Sequence, residues 1–231
     1  MTAHPPAAVV FDLDGVLVES EHLWEEMWSR HAARSGVPWT AADTAHVQGM
    51  SAPEWSGHLA DRIGGLDPAA VETAVVDDMV AALEGGRIEP YRGAVAMVRD
   101  VAGRVPIALA TSAPRRLVDA VLARHGLAAS FTATVSSAEV ARGKPGPEVY
   151  LAAAARLGVA AADCLAVEDS ANGLRAAHAA GMTVVAIPHP TYPPAPDALA
   201  LATRVVDGVP AAHRELLARL DGVPTATGAA R

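Results

Sequence analysis

The strongest restriction on how this chain can fold is a rhythm of short apolar runs, each too brief for a helix and followed by a helix-like pattern. Runs of β-branched and aliphatic residues stand at 7–11, 106–110, 131–135, 164–167, 183–187 and, more weakly, 204–206. Continuous apolar runs of this length read as strands buried on both faces, the signature of a parallel sheet. Alanine-rich patterns with apolar residues three and four apart fill 93–101, 115–124, 147–157 and 172–180, and Gly103, Gly126, Gly158 and Gly181 stand just beyond them as stops. Alternation of the two patterns from about residue 91 to 207 predicts an α/β fold with a doubly wound, Rossmann-like parallel sheet.

The first strand breaks the rhythm. From 18 to 89 no run reads as a strand, and helical patterns occupy 21–33, 53–62 and 68–83. About 70 residues far exceed the 2–6 of an ordinary strand-to-helix connection. The stretch therefore predicts an inserted helical cap at 18–89, with the α/β core made of 1–17 and 90–231. Five prolines in 188–196 predict a stiff loop, and the small, polar stretch 221–231 is expected to fray.

Composition narrows the class of function. With 51% hydrophobic and 19% charged residues over 231 positions, the chain can bury a sizeable core. No apolar run approaches the roughly 20 residues of a membrane span, so no membrane partner is expected. A net charge of -8 argues against a nucleic-acid partner, which calls for a concentrated basic surface. No feature implies a protein partner. The single cysteine, Cys164, excludes an internal disulfide and reads as a small buried hydrophobe. The first residues lack the charged and apolar regions of a signal peptide, so a cytoplasmic location is expected.

In an open α/β sheet, ligands collect where strands end. The first strand ends in Val10-Phe11-Asp12-Leu13-Asp14-Gly15-Val16, two carboxylates two residues apart, and the next in Leu109-Ala110-Thr111-Ser112. Lys144, the one lysine among 18 lysine and arginine residues, follows the third in Gly143-Lys144-Pro145, and the fourth ends in Glu168-Asp169-Ser170. Each piece has a plain structural use as a turn or a helix cap. Together they would crowd several carboxylates on one rim, and such a cluster needs cations. Lys144 supplies one and a bound Mg²⁺ the other, because Mg²⁺ takes oxygen ligands from one or two carboxylates and a substrate phosphate, which suits Asp12 and Asp169.

These residues, in this order, resemble the motifs of the haloacid dehalogenase-like superfamily. The resemblance runs from Ala7 to about Val206 and falls in the capped phosphatase branch that includes β-phosphoglucomutase and small sugar- and hexitol-phosphate phosphatases. It implies Asp12 as nucleophile and Asp14 as general acid and base, with Thr111, Ser112 and Lys144 holding the substrate phosphate. It also implies a Mg²⁺ site drawn from Asp12, Asp14, Glu168 and Asp169. The expected substrate is a small phosphorylated metabolite such as a sugar or polyol phosphate. A phosphosugar mutase is the alternative. A mutase holds a second phosphate with a cap arginine where this chain has Ala52, and carries a histidine where it has Trp24, so hydrolysis is the favoured reading; Arg62 or Arg87 would have to replace that contact. A phosphorylated receiver domain also joins an acidic pair, a Thr or Ser and a Lys on a doubly wound sheet, but has no use for a helical insertion. Glu21, His22, Trp24, Met50, Ser51 and Trp55 are candidates for reading the leaving group, while Trp24, Met27 and Trp28 together read more readily as cap core.

Overall fold

The computed structural model describes residues 4–223. The expected fraying beyond 223 therefore lies outside the described residues. Six strands form one parallel sheet: β1 (Ala8–Phe11), β4 (Ile107–Thr111), β5 (Ala133–Ser136), β6 (Cys164–Glu168), β7 (Thr183–Ala186) and β8 (Arg204–Val205), in the order β5-β4-β1-β6-β7-β8. β1 sits at the centre, with Val10 opposite Ala108 of β4 on one side and Ala166 of β6 on the other. The chain builds outward from β1 through β4 and β5, then crosses back to add β6, β7 and β8. The strand order thus reverses beside β1, which is where such sheets open a crevice at their carboxyl ends.

Both faces of the sheet are buried, as the continuous apolar runs predict. Val9, Phe11, Ile107, Leu109, Leu165 and Val167 point to one face, where α5 (Ala94–Ala102), α6 (Arg115–Arg124) and α10 (Gly208–Leu220) bring Val98, Leu117 and Leu216 into the same cluster. The opposite face carries Ala8, Val10, Ala108, Ala110 and Ala166, mostly small, against α7 (Glu148–Leu157) and α8 (Ala171–Ala179). Cys164 is buried there, its thiol pushed up to about 11 by burial and the nearby Asp163. It is the small core residue expected.

Between the first strand and the rest of the sheet lie α1 (Glu21–Arg34), α2 (Ala41–Val47), α3 (Ala52–Ile63) and α4 (Pro68–Glu84). Capping chemistry sets their starts. Thr40 and Asp43 exchange hydrogen bonds at the head of α2, Ser51 and Glu54 do so at α3, and Asp67 caps α4 ahead of Pro68. All four tryptophans, at 24, 28, 39 and 55, lie in this insertion and pack ring on ring, with Trp24 and Trp28 stacked at 5.8 Å.

The structure adds elements that the strand and helix patterns do not predict. Two-residue strands β2 (Val18–Glu19) and β3 (Glu89–Pro90) pair antiparallel where the insertion leaves and rejoins the sheet, and two residues are too few to show a period. α2 is seven residues long, and its only advance sign is the Thr40–Asp43 spacing of its cap. α10 is masked in sequence by Gly208 and Pro210 in its first turn. A short α9 (Pro196–Leu199) ends the proline-rich loop. Among the described residues, no helix is long and apolar enough to cross a membrane.

Candidate active site

The reversal beside β1 brings the four motifs to one crevice. Asp12 follows β1 directly, with its backbone N–H still donating to Val167 O at 3.0 Å. Thr111 is the last residue of β4 and Glu168 the last of β6. Lys144 comes from the connection between β5 and α7, ahead of a cis peptide bond to Pro145.

Lys144 is 1% exposed. Burying an ammonium costs several kcal/mol unless partners replace its hydration. Here its Nζ donates to Asp12 Oδ1 at 2.8 Å and to Glu168 Oε1 at 2.5 Å, and lies 5.1 Å from the Tyr150 ring centre. Burial alone would depress its pKa, but the Asp12 and Glu168 carboxylates outweigh that and hold it above the ordinary lysine value. Glu168 is fully engaged: Oε1 also accepts from Tyr150 OH at 2.7 Å, and Oε2 accepts from the backbone N–H groups of Asp169 and Ser170. Gly173, one turn into α8, makes room for it, since a Cβ there would stand 1.8 Å from Glu168 Oε1.

Asp169 is 1% exposed, and neither carboxylate oxygen has a hydrogen-bond partner. Gly15 supports this arrangement twice: its φ of +73° suits glycine, and a Cβ would meet Asp169 Oδ2 at 1.9 Å. Asp12, Glu168 and Asp169 each place a carboxylate oxygen within 4.8 Å of the others. Three carboxylates against one ammonium leave the site two positive charges short when all are ionised. Burial, and then repulsion from Glu168 and Asp14, overcomes Lys144 and pushes Asp12 up to about 7. Burial and the neighbouring carboxylates drive Asp169 well above the usual range. A divalent cation with oxygen preference meets both the charge and the donor set.

Asp14 is placed differently. It is half-buried, and its Oδ1 accepts from Ser20 Oγ and from Trp24 Nε1, the latter at 3.1 Å. Burial raises its pKa despite those two donors. Its carboxylate is not among the three grouped oxygens. The turn at Gly15 carries it toward the insertion instead.

Thr111 is buried, with Oγ1 accepting from Ala113 N at 3.0 Å, and it lines the crevice with Ser112. The Ser112 hydroxyl donates to Gly49 O at 2.9 Å, and Asn172 Nδ2 donates to Gln48 O at 3.1 Å. Both bonds tie the turn between α2 and α3 over the crevice.

Of the residues expected to face a leaving group, Glu21, Trp24, Met50 and Trp55 line the crevice. His22 is exposed, and the Ser51 hydroxyl is spent on Glu54 in the α3 cap. Trp24, Met27 and Trp28 belong together to the buried apolar core, as read, and the two indoles, packed against each other, also line the crevice. One turn of helix separates Trp24 from Trp28, so they share a face, and that face is both core and crevice wall. Tyr150 and Val47 also escape sequence reading, because neither belongs to a polar motif.

A family model described as haloacid dehalogenase-like hydrolase matches residues 6–181. Hexitol phosphatase B of Escherichia coli K12 is 32% identical over 190 residues, covering 79% of this chain and 84% of that protein. Two other curated relatives are longer proteins, of which the chain spans 48% and 18%. Among solved structures, CbbY from Rhodobacter sphaeroides in complex with phosphate superposes with a TM-score of 0.80 at 27% identity, over 94% of this chain and 99% of that one. β-Phosphoglucomutase from Clostridium difficile reaches 0.79 at 21% identity over 94% and 97%, a likeness of fold.

Proposed function

This chain belongs to the haloacid dehalogenase-like hydrolase family, and from that premise we propose that it is a Mg²⁺-dependent phosphatase of a small sugar or polyol phosphate, working through a phosphorylated Asp12. The observation that carries the proposal is the buried Asp169 carboxylate, unpartnered on both oxygens, beside an Asp12 that Lys144 holds in place. Asp12 and Asp169 are the proposed carboxylate ligands, with Glu168 chiefly fixing Lys144. Bound there, Mg²⁺ would offset charge on the phosphoryl oxygens.

In the proposed reaction, an Asp12 carboxylate oxygen forms a bond to phosphorus while the bond from phosphorus to the substrate alcohol breaks. Asp14 gives its proton to the departing oxygen. Water then attacks the phosphoaspartate, Asp14 takes a proton from it, and Asp12 is released with inorganic phosphate. Lys144 and the Thr111 hydroxyl balance charge on the transferring group, and such positioning supplies most of the catalysis in phosphoryl transfer. The helices of 18–89 act as the cap that keeps bulk water from the phosphoaspartate, joined to the core through Ser112 and Asn172.

The mutase reading is less well supported. Ala52 is buried at the start of α3. Arg62 is engaged with Pro38 O and Asp43, Arg87 is paired with Glu26, and neither lines the crevice. The test is to incubate the protein and Mg²⁺ with hexose and polyol monophosphates and follow phosphate release, alongside β-glucose 1-phosphate with a bisphosphate primer. Phosphate release without isomerisation is expected. Primed isomerisation faster than release would replace hydrolysis with mutase chemistry.

A further inference from the structure

A close contact between the insertion and the core stands beside Lys144. Ser51 and Glu54, at the head of α3, meet Gly143: a Cβ there would stand 2.7 Å from Ser51 Cβ, 3.0 Å from Ser51 Oγ and 3.1 Å from Glu54 Oε2. The φ of Gly143 is not positive, so the backbone itself does not call for glycine, and the missing side chain serves close approach. Beside this contact the two surfaces part around a cleft of about 480 Å³, lined by Ser51, Pro53 and Glu54 on one side and by Ser137, Arg142 and Gly146 on the other. The contact is therefore narrow, and a single methyl group would change it.

Both sides of the contact are held locally. Gly146 N–H donates to Gly143 O at 2.8 Å, closing a turn that has Lys144 at its corner, and the Lys144 ammonium is anchored on Asp12 and Glu168. Ser51 is buried, and its N–H and hydroxyl both donate to Glu54 Oε2, at 2.9 and 2.5 Å. The contact also lies between two residues of the crevice wall, since Met50 precedes Ser51 and Trp55 follows Glu54. The height at which α3 rests on Gly143 thus sets how far Met50 and Trp55 stand from Thr111 and Lys144.

Resting on the phosphatase reading above, we infer that Gly143 is the seat on which the cap closes, and that Gly143 and Ser51 are positioning residues that set the depth of the crevice above Lys144. The bonds from Ser112 to Gly49 O and from Asn172 to Gln48 O draw the turn before α3 onto the core, and the seat stops it. Thr111 and Lys144 grip the phosphoryl end of the substrate while Met50 and Trp55 meet the other end, so a raised cap misplaces the alcohol against the groups that act on it. A displacement of about 1 Å at a reacting centre can cost 10²-fold in rate.

The test is a steric swap, read by kinetics on sorbitol 6-phosphate with Mg²⁺ and by acrylamide quenching of tryptophan fluorescence without substrate. Trp24, Trp28 and Trp55 line the crevice, so quenching reports how far the cap is lifted. Gly143→Ala should lower kcat/KM by about ten- to a hundredfold and increase quenching. Ser51→Gly removes the atoms that the new methyl strikes, frees Glu54 to retreat, and costs the α3 cap only a few tenths of a kcal/mol. Added to Gly143→Ala, it should restore most of the lost activity and return quenching toward the wild-type level. Gly143→Ala with wild-type kinetics and quenching would overturn the seat, and so would a loss that Ser51→Gly leaves in place, which would put the defect in the Lys144 turn itself. A wild type that does not hydrolyse sorbitol 6-phosphate would count against the substrate reading, and the quenching change with its reversal would still decide the seat.

Discussion

Lys144 Nζ lies 2.8 Å from Asp12 Oδ1, although 132 residues of chain separate them, and the same ammonium closes on Glu168. One buried cation thus orients the proposed nucleophile and neutralises the carboxylate behind it. Replacing it with an apolar side chain strands two carboxylates away from water. Lys144→Met should therefore cost about 3–5 kcal/mol of stability, read as a lower urea midpoint, and adding Glu168→Gln should recover part of the loss. An unchanged midpoint would mean that the pair contributes nothing to folding.

Asp12→Asn keeps the shape of the side chain but removes its charge and its nucleophilic oxygen. Turnover should fall by at least about a thousandfold while circular dichroism and thermal unfolding stay close to wild type. Activity near wild type would remove Asp12 from the mechanism.

The charge deficit at Asp12, Glu168 and Asp169 predicts opposite effects in the presence and absence of metal. Without metal, Asp169→Asn relieves repulsion and should raise the melting temperature, in chelator, by a few degrees, equivalent to about 1 kcal/mol. Mg²⁺ should raise the melting temperature of the wild type and have little effect on the variant. A variant stabilised by Mg²⁺ as fully as the wild type would place the ion elsewhere.

Asp14, bonded to Ser20 and Trp24 rather than grouped with the acidic cluster, is suited to moving a proton. Its removal should matter in proportion to the leaving group's need for that proton. Asp14→Asn should lower hydrolysis of a polyol phosphate by about 10²–10⁴-fold, and that of p-nitrophenyl phosphate, whose leaving group departs without protonation, by clearly less. Equal losses would point to a role in holding Ser20 and Trp24 instead.

Asp43 joins α2 to α3 by accepting from Thr40 and pairing with His58 and Arg62, and hydrogen bonds from Thr40 lead in holding its carboxyl down to about 2. A carboxyl depressed in the folded state contributes stability above its unfolded value, near 3.9, and loses it as pH falls through the folded value. Asp43→Asn should therefore destabilise the insertion by about 1–2 kcal/mol at pH 6, with the gap to wild type closing as the pH approaches 2. A gap that persists at low pH would show that the contact is steric rather than ionic.

Much of this protein is written locally in its chain. A strand buried on both faces is apolar along its length up to its carboxyl end, so β1, β4 and β6 appear as short continuous runs. A chain that must turn just past a strand needs residues such as Asp12 to Gly15, and a helix that begins there wants a cap such as Ser170, which accepts from Gly173 N. These requirements act over a few residues, so the α/β class, the long insertion and the motif residues can all be read in order. The resemblance to a known family adds roles to those residues that local chemistry alone leaves open.

What depends on approach between distant segments is decided only by the folded chain. Which oxygens of Asp12, Glu168 and Asp169 converge, and that Asp14 turns away from them, follows from the central place of β1 and the absence of a side chain at Gly15. Trp24 and Trp28 are apolar residues on a helix face, and no local pattern distinguishes an indole packed in a core from one that walls a cleft. The difference arises when the turn at Gln48 and Gly49 is tied to Asn172 and Ser112, more than 60 residues away in sequence. Hydrogen bonds and packing across such separations depend on the whole chain's closure, and that closure is what brings Trp24 and Trp28 to the crevice wall.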